Sequence, residues 1–135
     1  GYVWGSSAFG SSIDPVTGEE RNFPNQKPEV VAPGVNIFST ASSTLSSPYA
    51  YSSGTSDSTV FVSGALALII QQYRGSIEGS DGFIDADEMR LVKHALARSS
   101  DRSGFESVNH NSHSGYGALD LVKWSEEVAF TFNVE

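Results

Sequence analysis

The sequence predicts an α/β fold on three observations. Short runs rich in β-branched residues occupy the first half. A long apolar segment of helical character follows. A second, capped helical segment comes after that. Tyr2-Val3-Trp4 reads as the tail of a strand that runs into the small residues Gly5-Ser6-Ser7. Residues 11–28 are polar and turn-rich, with Asp14-Pro15, Thr17-Gly18 and Phe23-Pro24-Asn25, which predicts a long surface loop. Val30-Val31-Ala32 and Val35-Asn36-Ile37-Phe38 are strand-like runs split by Pro33-Gly34, a bend that a central strand would not tolerate. Residues 39–48 form a Ser/Thr-rich loop, after which Tyr49-Ala50-Tyr51 approaches Ser52-Ser53-Gly54-Thr55-Ser56.

Residues 56–74 carry the helical pattern. Val60, Phe61, Val62, Leu66, Leu68, Ile69 and Ile70 leave no polar face before Gln71, and a helix apolar on every side must be buried on every side. At about 1.5–3 kcal/mol per large apolar side chain, their burial represents on the order of 10–20 kcal/mol, as much as the net stability of a typical domain. Asp85 is an expected N-cap with Glu88 three residues on, the spacing of a capping box. The helix it opens runs through Met89, Leu91, Val92, Ala95 and Leu96. Gly115-Tyr116-Gly117 precedes a short segment over 118–124, and the alternation of Val128-Ala129-Phe130-Thr131-Phe132-Asn133-Val134 predicts a terminal edge or exposed-face strand.

Composition narrows the function. The 135 residues suit one domain, and 39% apolar with 18% charged residues is globular rather than disordered. Eight Lys and Arg against sixteen Asp and Glu give a net charge of −8 with no basic run, which argues against nucleic-acid binding. With no Cys, disulfides, thiolate zinc sites and cysteine nucleophiles are excluded. That suits a cytoplasmic protein and equally a secreted one stabilised without bridges. Gly1-Tyr2-Val3-Trp4 lacks the charged start and long apolar core of a signal peptide. The longest apolar stretch, residues 60–70, is interrupted by Ser63 and Gly64 and is too short to span a bilayer, so a soluble chain without membrane contact is expected.

Gly54-Thr55-Ser56 opens the apolar helix and is the stretch with chemistry in it. A serine hydroxyl is a poor nucleophile until a base takes its proton and donors hold the oxyanion. The first turn of a helix supplies such donors, because its N–H groups lack helical partners and the dipole favours negative charge. Gly54 is expected to let the backbone turn tightly against a substrate chain. Read from these residues alone, Thr55 or Ser56 is expected to be a plain N-cap, as Ser and Thr commonly are.

The surrounding blocks weigh on that choice. Lys27-Pro28-Glu29-Val30-Val31-Ala32-Pro33-Gly34-Val35-Asn36-Ile37 resembles the Lys-Pro-Asp-Val-x-Ala-Pro-Gly-x-x-Ile stretch of subtilisin-like serine proteases. Ser53-Gly54-Thr55-Ser56 matches their Ser-Gly-Thr-Ser, and Gly64-Ala65-Leu66-Ala67-Leu68 their Gly-x-x-Ala-Leu. Gly115-Tyr116-Gly117-Ala118-Leu119-Asp120 looks like the element that closes their catalytic domain. The four blocks keep the family's order and cover nearly the whole chain.

The resemblance implies the C-terminal portion, residues 1–135, of a mostly parallel sheet with helices on both faces. It implies a serine endopeptidase acting through an acyl-enzyme on Ser56, with the Ser56 N–H as an oxyanion donor and Gly54 and Thr55 in the nucleophile loop. It also implies a polypeptide substrate, a secreted location by family habit and no organic cofactor. A catalytically inactive relative serving binding or assembly is the alternative.

The departures bear on both readings. Where the family continues Ser-Met-Ala-(Ser/Thr)-Pro-His-Val, this chain has Ser56-Asp57-Ser58-Thr59-Val60-Phe61-Val62. Asp57 suits a helix start but sets a carboxylate beside an oxyanion site. In the family the triad runs Asp, His, Ser, yet no His precedes Ser56, and Asp14 before Pro15 is the sole earlier Asp. Asn22, Asn25 and Asn36 fall in the wrong segments for the family's oxyanion Asn. His94, on the capped helix, and His110 and His113, in a polar loop, are expected as surface or half-buried residues. The upstream part with the Asp and His is therefore expected to be missing from this chain. The chain alone should be inactive, and its apolar helix should require the N-terminal part of the same domain or self-association for cover.

Residues 77–88 have some likeness to a calcium loop, with Asp81, Gly82, Ile84, Asp85 and Glu88 in place. Ile77 and Gly79 stand where the first two carboxylates belong, so a turn plus a helix cap is the expected use of these residues. Subtilisin-like proteins often bind calcium, but no ligand set in this chain transfers residue by residue.

Overall fold

A computed structural model describes residues 2–42, 46–105 and 108–134. Its regular elements, in chain order, are β1 (Ile37–Thr40), β2 (Tyr49–Ser52), α1 (Thr55–Ile77), α2 (Ala86–Ser99) and α3 (Leu121–Thr131). The chain is thus mixed α and β.

β1 and β2 pair antiparallel, with Phe38 opposite Tyr51 and Thr40 opposite Tyr49. Side chains alternate along a strand, so Phe38, Tyr49 and Tyr51 share one face, with ring centroids 5.0 and 5.4 Å apart. This two-stranded ladder is the sheet among the described residues, and it is not the parallel one expected. Parallel pairing occurs as one isolated bridge between Val31 and Ala118, where the Val31 amide donates to Gly117 and the Leu119 amide to Val31. Of the expected strand-like runs, Val30-Val31-Ala32 contributes that bridge alone, and Tyr2-Val3-Trp4 is not a strand. The Pro33-Gly34 bend does separate Val31 from β1. Within the loop expected over 39–48, residues 43–45 lie outside those described.

α1 extends the predicted helix by three residues at its end. It buries Ala65, Ile69 and Ile77, one face at helical spacing, with Val62, Leu66 and Tyr73 packed beside them. Val60, Phe61 and Leu68 are exposed, so this chain covers one side of the helix and not all of them. α2 starts as its sequence indicates. The Asp85 carboxylate accepts the Asp87 and Glu88 amides at 2.7 and 3.4 Å, and the Glu88 carboxylate accepts the Asp85 amide at 3.0 Å. Its buried stripe is Val92, Ala95, Leu96 and Ser99, while Leu91 faces out.

The expected terminal strand is a helix. In a strand Val128 and Phe130 would share a face, but Val128 is fully buried and Phe130 is 78% exposed. Asp120 caps this α3 by accepting the Lys123 amide at 3.0 Å. Trp124 and Val128, four residues apart, then face the core together, and the Trp124 indole N–H donates to the Val92 carbonyl at 3.0 Å. Packing of α3 against α2 has overridden the local alternation. The core therefore lies where α1, α2 and α3 meet, around Ile69, Ile77, Val92, Ala95, Trp124 and Val128.

Candidate active site

Gly54 is the N-cap of α1, and no side chain caps this end. Thr55 and Ser56 are the first two helical residues, which removes the plain-cap reading of either. The Ser56 side chain is exposed, and no hydrogen bond of its hydroxyl is found among the described residues. Its amide sits in the first turn, where N–H groups lack helical acceptors and point toward incoming negative charge.

The rest of the segment is tied down on every side. The Gly54 amide donates to the Gly34 carbonyl at 2.8 Å, and the Asn36 amide to the Ser53 hydroxyl at 2.9 Å. The Ser58 hydroxyl donates to the Ala32 carbonyl at 2.9 Å, and that of Thr59 to the Thr55 carbonyl at 2.9 Å. The Ser52 hydroxyl donates to the Asp57 carboxylate at 3.0 Å. Ser52, Ser53, Ser58 and Thr59 thus all spend their hydroxyls on the scaffold, whereas among the described residues the hydroxyls of Thr55 and Ser56 make no such bond.

Two blocks far apart in sequence are therefore joined at this turn, and the close approach falls at an unexpected glycine. Gly54 has φ 170° and ψ 163°, extended backbone open to any residue, and a side chain there would meet nothing nearer than Asp57 Oδ2 at 3.5 Å. The tight glycine is Gly34: a Cβ there would lie 2.3 Å from Ser58 Oγ and 2.8 Å from the Gly54 carbonyl oxygen. The sequence marks Pro33-Gly34 as a bend and as part of the Lys27–Ile37 block, but not as a close approach. The small residue and the hydroxyl of Ser58 were the signals, but their meeting is a tertiary fact. The closing block docks on the same strand-like run. Gly115, at φ 63°, leads into Tyr116, whose amide donates to Glu29 at 2.7 Å and whose hydroxyl donates to Gln26 Oε1 at 3.1 Å. Gly64, by contrast, faces open space.

Among the described residues no histidine is hydrogen-bonded to Ser56. The His94 ring lies 5.0 Å from that of Phe23, tilted 60° to it, with its Nδ1 buried and unpartnered among the described residues. Burial of the ring, with Arg98, Arg90 and Lys93 nearby, holds its pKa below the ordinary histidine value. His110 Nε2 lies 2.9 Å from the Pro28 carbonyl oxygen, and His113 stacks at 5.0 Å on Phe9. Asp14 makes a turn: its carboxylate accepts the Val16 amide at 2.8 Å and pairs with Arg21 at 3.3 Å. The Val16 amide bond first, with a weaker one from the Thr17 amide and the Arg21 charge, lowers its pKa against the opposing effect of desolvation. A cleft of about 650 Å³, largely apolar, opens beside the helix start between Val30, Ala32, Val62 and Leu119; Thr55 and Ser58 reach its wall and Ser56 does not.

The acidic residues of 77–88 are engaged locally. Asp81 accepts the Phe83 amide at 3.0 Å in a turn with Gly82 at φ 77°, and Asp85 and Glu88 form the capping box. No group of three or more His, Asp or Glu able to hold a metal ion occurs among the described residues. No helix there is long and apolar enough to cross a membrane.

A family model described as the subtilase family, Peptidase_S8, matches residues 6–117. The match takes in the bend at Gly34, the turn at Ser56, the α1–α2 pair and the Gly115-Tyr116-Gly117 block. No curated protein and no solved structure matches the chain.

Proposed function

The chain belongs to the subtilase family of serine proteases, and on that premise we propose that Ser56 is the nucleophile of a serine endopeptidase. The observation that carries the reading is the uncommitted, exposed Ser56 hydroxyl at the start of α1, inside a segment where the hydroxyls of Ser52, Ser53, Ser58 and Thr59 are engaged. Ser56 Oγ attacks the carbonyl carbon of a peptide bond while a base takes its proton. The oxyanion is met by the N–H groups of the first helical turn, among them that of Ser56. The proton passes to the leaving amine, the C–N bond breaks, and water releases the acyl group from Ser56 by the same steps. Gly54 and Thr55 shape the loop on which the substrate chain lies.

The base and its orienting carboxylate come from the part of the domain that precedes these residues, and the chain by itself is inactive. A parallel sheet completed by that part is in keeping with the single isolated parallel bridge between Val31 and Ala118. The substrate is a polypeptide, and the location is extracellular, as subtilases often are. No organic cofactor takes part.

In the full-length protein a fluorophosphonate probe should label Ser56, and Ser56→Ala should remove the label. Labelling that survives Ser56→Ala would overturn the assignment. Absent labelling, with the upstream histidine and aspartate in place, would favour the inactive, binding role, for which Asp57 in place of the usual Met is the sequence observation.

A further inference from the structure

The residue after Ser56 departs from its family and has a specific geometric job in this chain. Asp57 Oδ2 accepts the Ser52 hydroxyl at 3.0 Å. Ser52 is the last residue of β2 and Asp57 lies in the first turn of α1, so this bond closes a short loop around Ser53, Gly54, Thr55 and Ser56. The Asp57 amide donates to the Gly54 carbonyl at 3.2 Å within the same loop. The carboxylate therefore points back along the chain toward the hairpin, beside Gly54.

We propose that Asp57 is a positioning residue for Ser56: by accepting the Ser52 hydroxyl it ties the end of β2 to the start of α1 and fixes the backbone that carries Ser56. This rests on Ser56 being the nucleophile. Two physical facts favour the arrangement. A carboxylate in the first turn is stabilised by the unpaired amides there, and a hydrogen bond to a charged acceptor is stronger than one between neutral groups. The other ties hold the loop from one side: Gly54 to Gly34 and Ser53 to Asn36 both anchor it to the Pro33-Gly34 bend. The Ser52–Asp57 bond ties its two ends to each other. A loop held at its ends as well as its middle keeps Ser56 in one attack geometry, and rate depends steeply on such placement.

The test uses the full-length protein with Asp57→Ala, Asp57→Asn, Ser52→Ala and the Ser52→Ala/Asp57→Ala double variant. Asp57→Ala and Ser52→Ala should each slow fluorophosphonate labelling of Ser56 and lower kcat by about five- to tenfold, the net reach of one solvent-exposed hydrogen bond. KM for a short peptide should stay within about twofold if only placement is lost. The double variant should be no worse than either single, because both remove one interaction. Asp57→Asn, which still accepts the hydroxyl, should recover most of the rate. Faster labelling in Asp57→Ala, or additive losses in the double variant, would overturn the proposal.

Amide hydrogen exchange over residues 53–57 reads the tie without any reaction at Ser56. It should quicken in Asp57→Ala and Ser52→Ala and stay unchanged in Asp57→Asn, and exchange equally slow in all variants would sink the tie. If the parent protein takes no label while exchange follows this pattern, the nucleophile reading has failed and the tie stands.

Discussion

The Gly54 amide donates to the Gly34 carbonyl, so the turn before Ser56 hangs from the Pro33-Gly34 bend. A methyl group at Gly34 would collide with the Gly54 carbonyl oxygen, which is backbone and cannot swing aside as the Ser58 hydroxyl can. Gly34→Ala should cost about 1–3 kcal/mol through forced displacement, and it should slow labelling of Ser56 by displacing the turn. Urea unfolding and labelling rates of the full-length variant check both. An unchanged midpoint with unchanged labelling would mean that the bend yields without moving the helix start.

Trp124 is the side chain that joins α3 to the rest. It is buried, it packs with Val128 against α2, and its N–H reaches the Val92 carbonyl. Trp124→Ala should lower stability by about 3–5 kcal/mol, the range for removing a large buried aromatic. Trp124→Phe, which keeps the ring and loses the hydrogen bond, should lose less. The order of the two urea midpoints is the measurement, and equal losses would place the whole effect in the hydrogen bond.

Local signals gave the helices their places, and non-local ones did not show. Asp85 and Glu88 announce α2 because a cap is made within four residues of sequence. Asp120 held the same kind of signal for α3, but the alternation of Val128, Phe130 and Phe132 masked it. What decides α3 is Trp124 meeting Val92, a contact between segments. At the site, Gly54-Thr55-Ser56 before an apolar run could be read as a helix start with an exposed serine. That Gly34 is the crowded glycine and Gly54 is not follows only from folding the bend onto Ser58. The hydroxyl of Ser52 gave no sign of Asp57, since that bond needs β2 and α1 in their final places.

His94 should make stability fall in mild acid. Its pKa is held below the ordinary histidine value by burial and by Arg98, Arg90 and Lys93, all on its own helix. From the neighbouring segments come the uncharged Phe23 ring, Glu29 paired to Lys93, and Glu127 paired to Arg98. A base with a lowered folded pKa binds its proton more readily when unfolded. The stability it contributes is therefore complete above the ordinary value of 6.5 and is lost as pH falls from there toward the lowered folded value. Asp14, Glu29, Asp85, Asp101 and Asp120 are also lowered, but as carboxylates they lose their contribution at more acid pH, below their ordinary values of 3.8 and 4.5. His94→Gln should flatten the melting temperature between pH 7 and pH 5 and leave the steeper fall at lower pH in place. An identical pH profile for the variant would show that His94 is not responsible.

The chain alone should not behave as a self-sufficient globule. On α1, Val60 is 65% and Leu68 55% exposed, and Phe61 is also exposed. A groove of about 640 Å³ runs between Leu68 on α1 and Leu121 and Val122 on α3, and Phe130 of α3 is exposed as well. Exposed side chains of this kind are ordinary when scattered, but these lie along one long helix and its neighbour, where contiguous apolar surface marks a missing partner or an aggregation hazard. At about 25 cal/mol per Å², covering even a few hundred Å² of that surface is worth several kcal/mol, enough to compete with the net stability of a domain. Isolated residues 1–135 should therefore sediment as more than a monomer and bind an apolar dye. Leu68→Glu with Val122→Glu should shift the chain toward monomer by making that surface costly to bury. A compact monomer of the unmodified chain, unfolding in one sharp step without binding dye, would show that its three helices cover one another well enough.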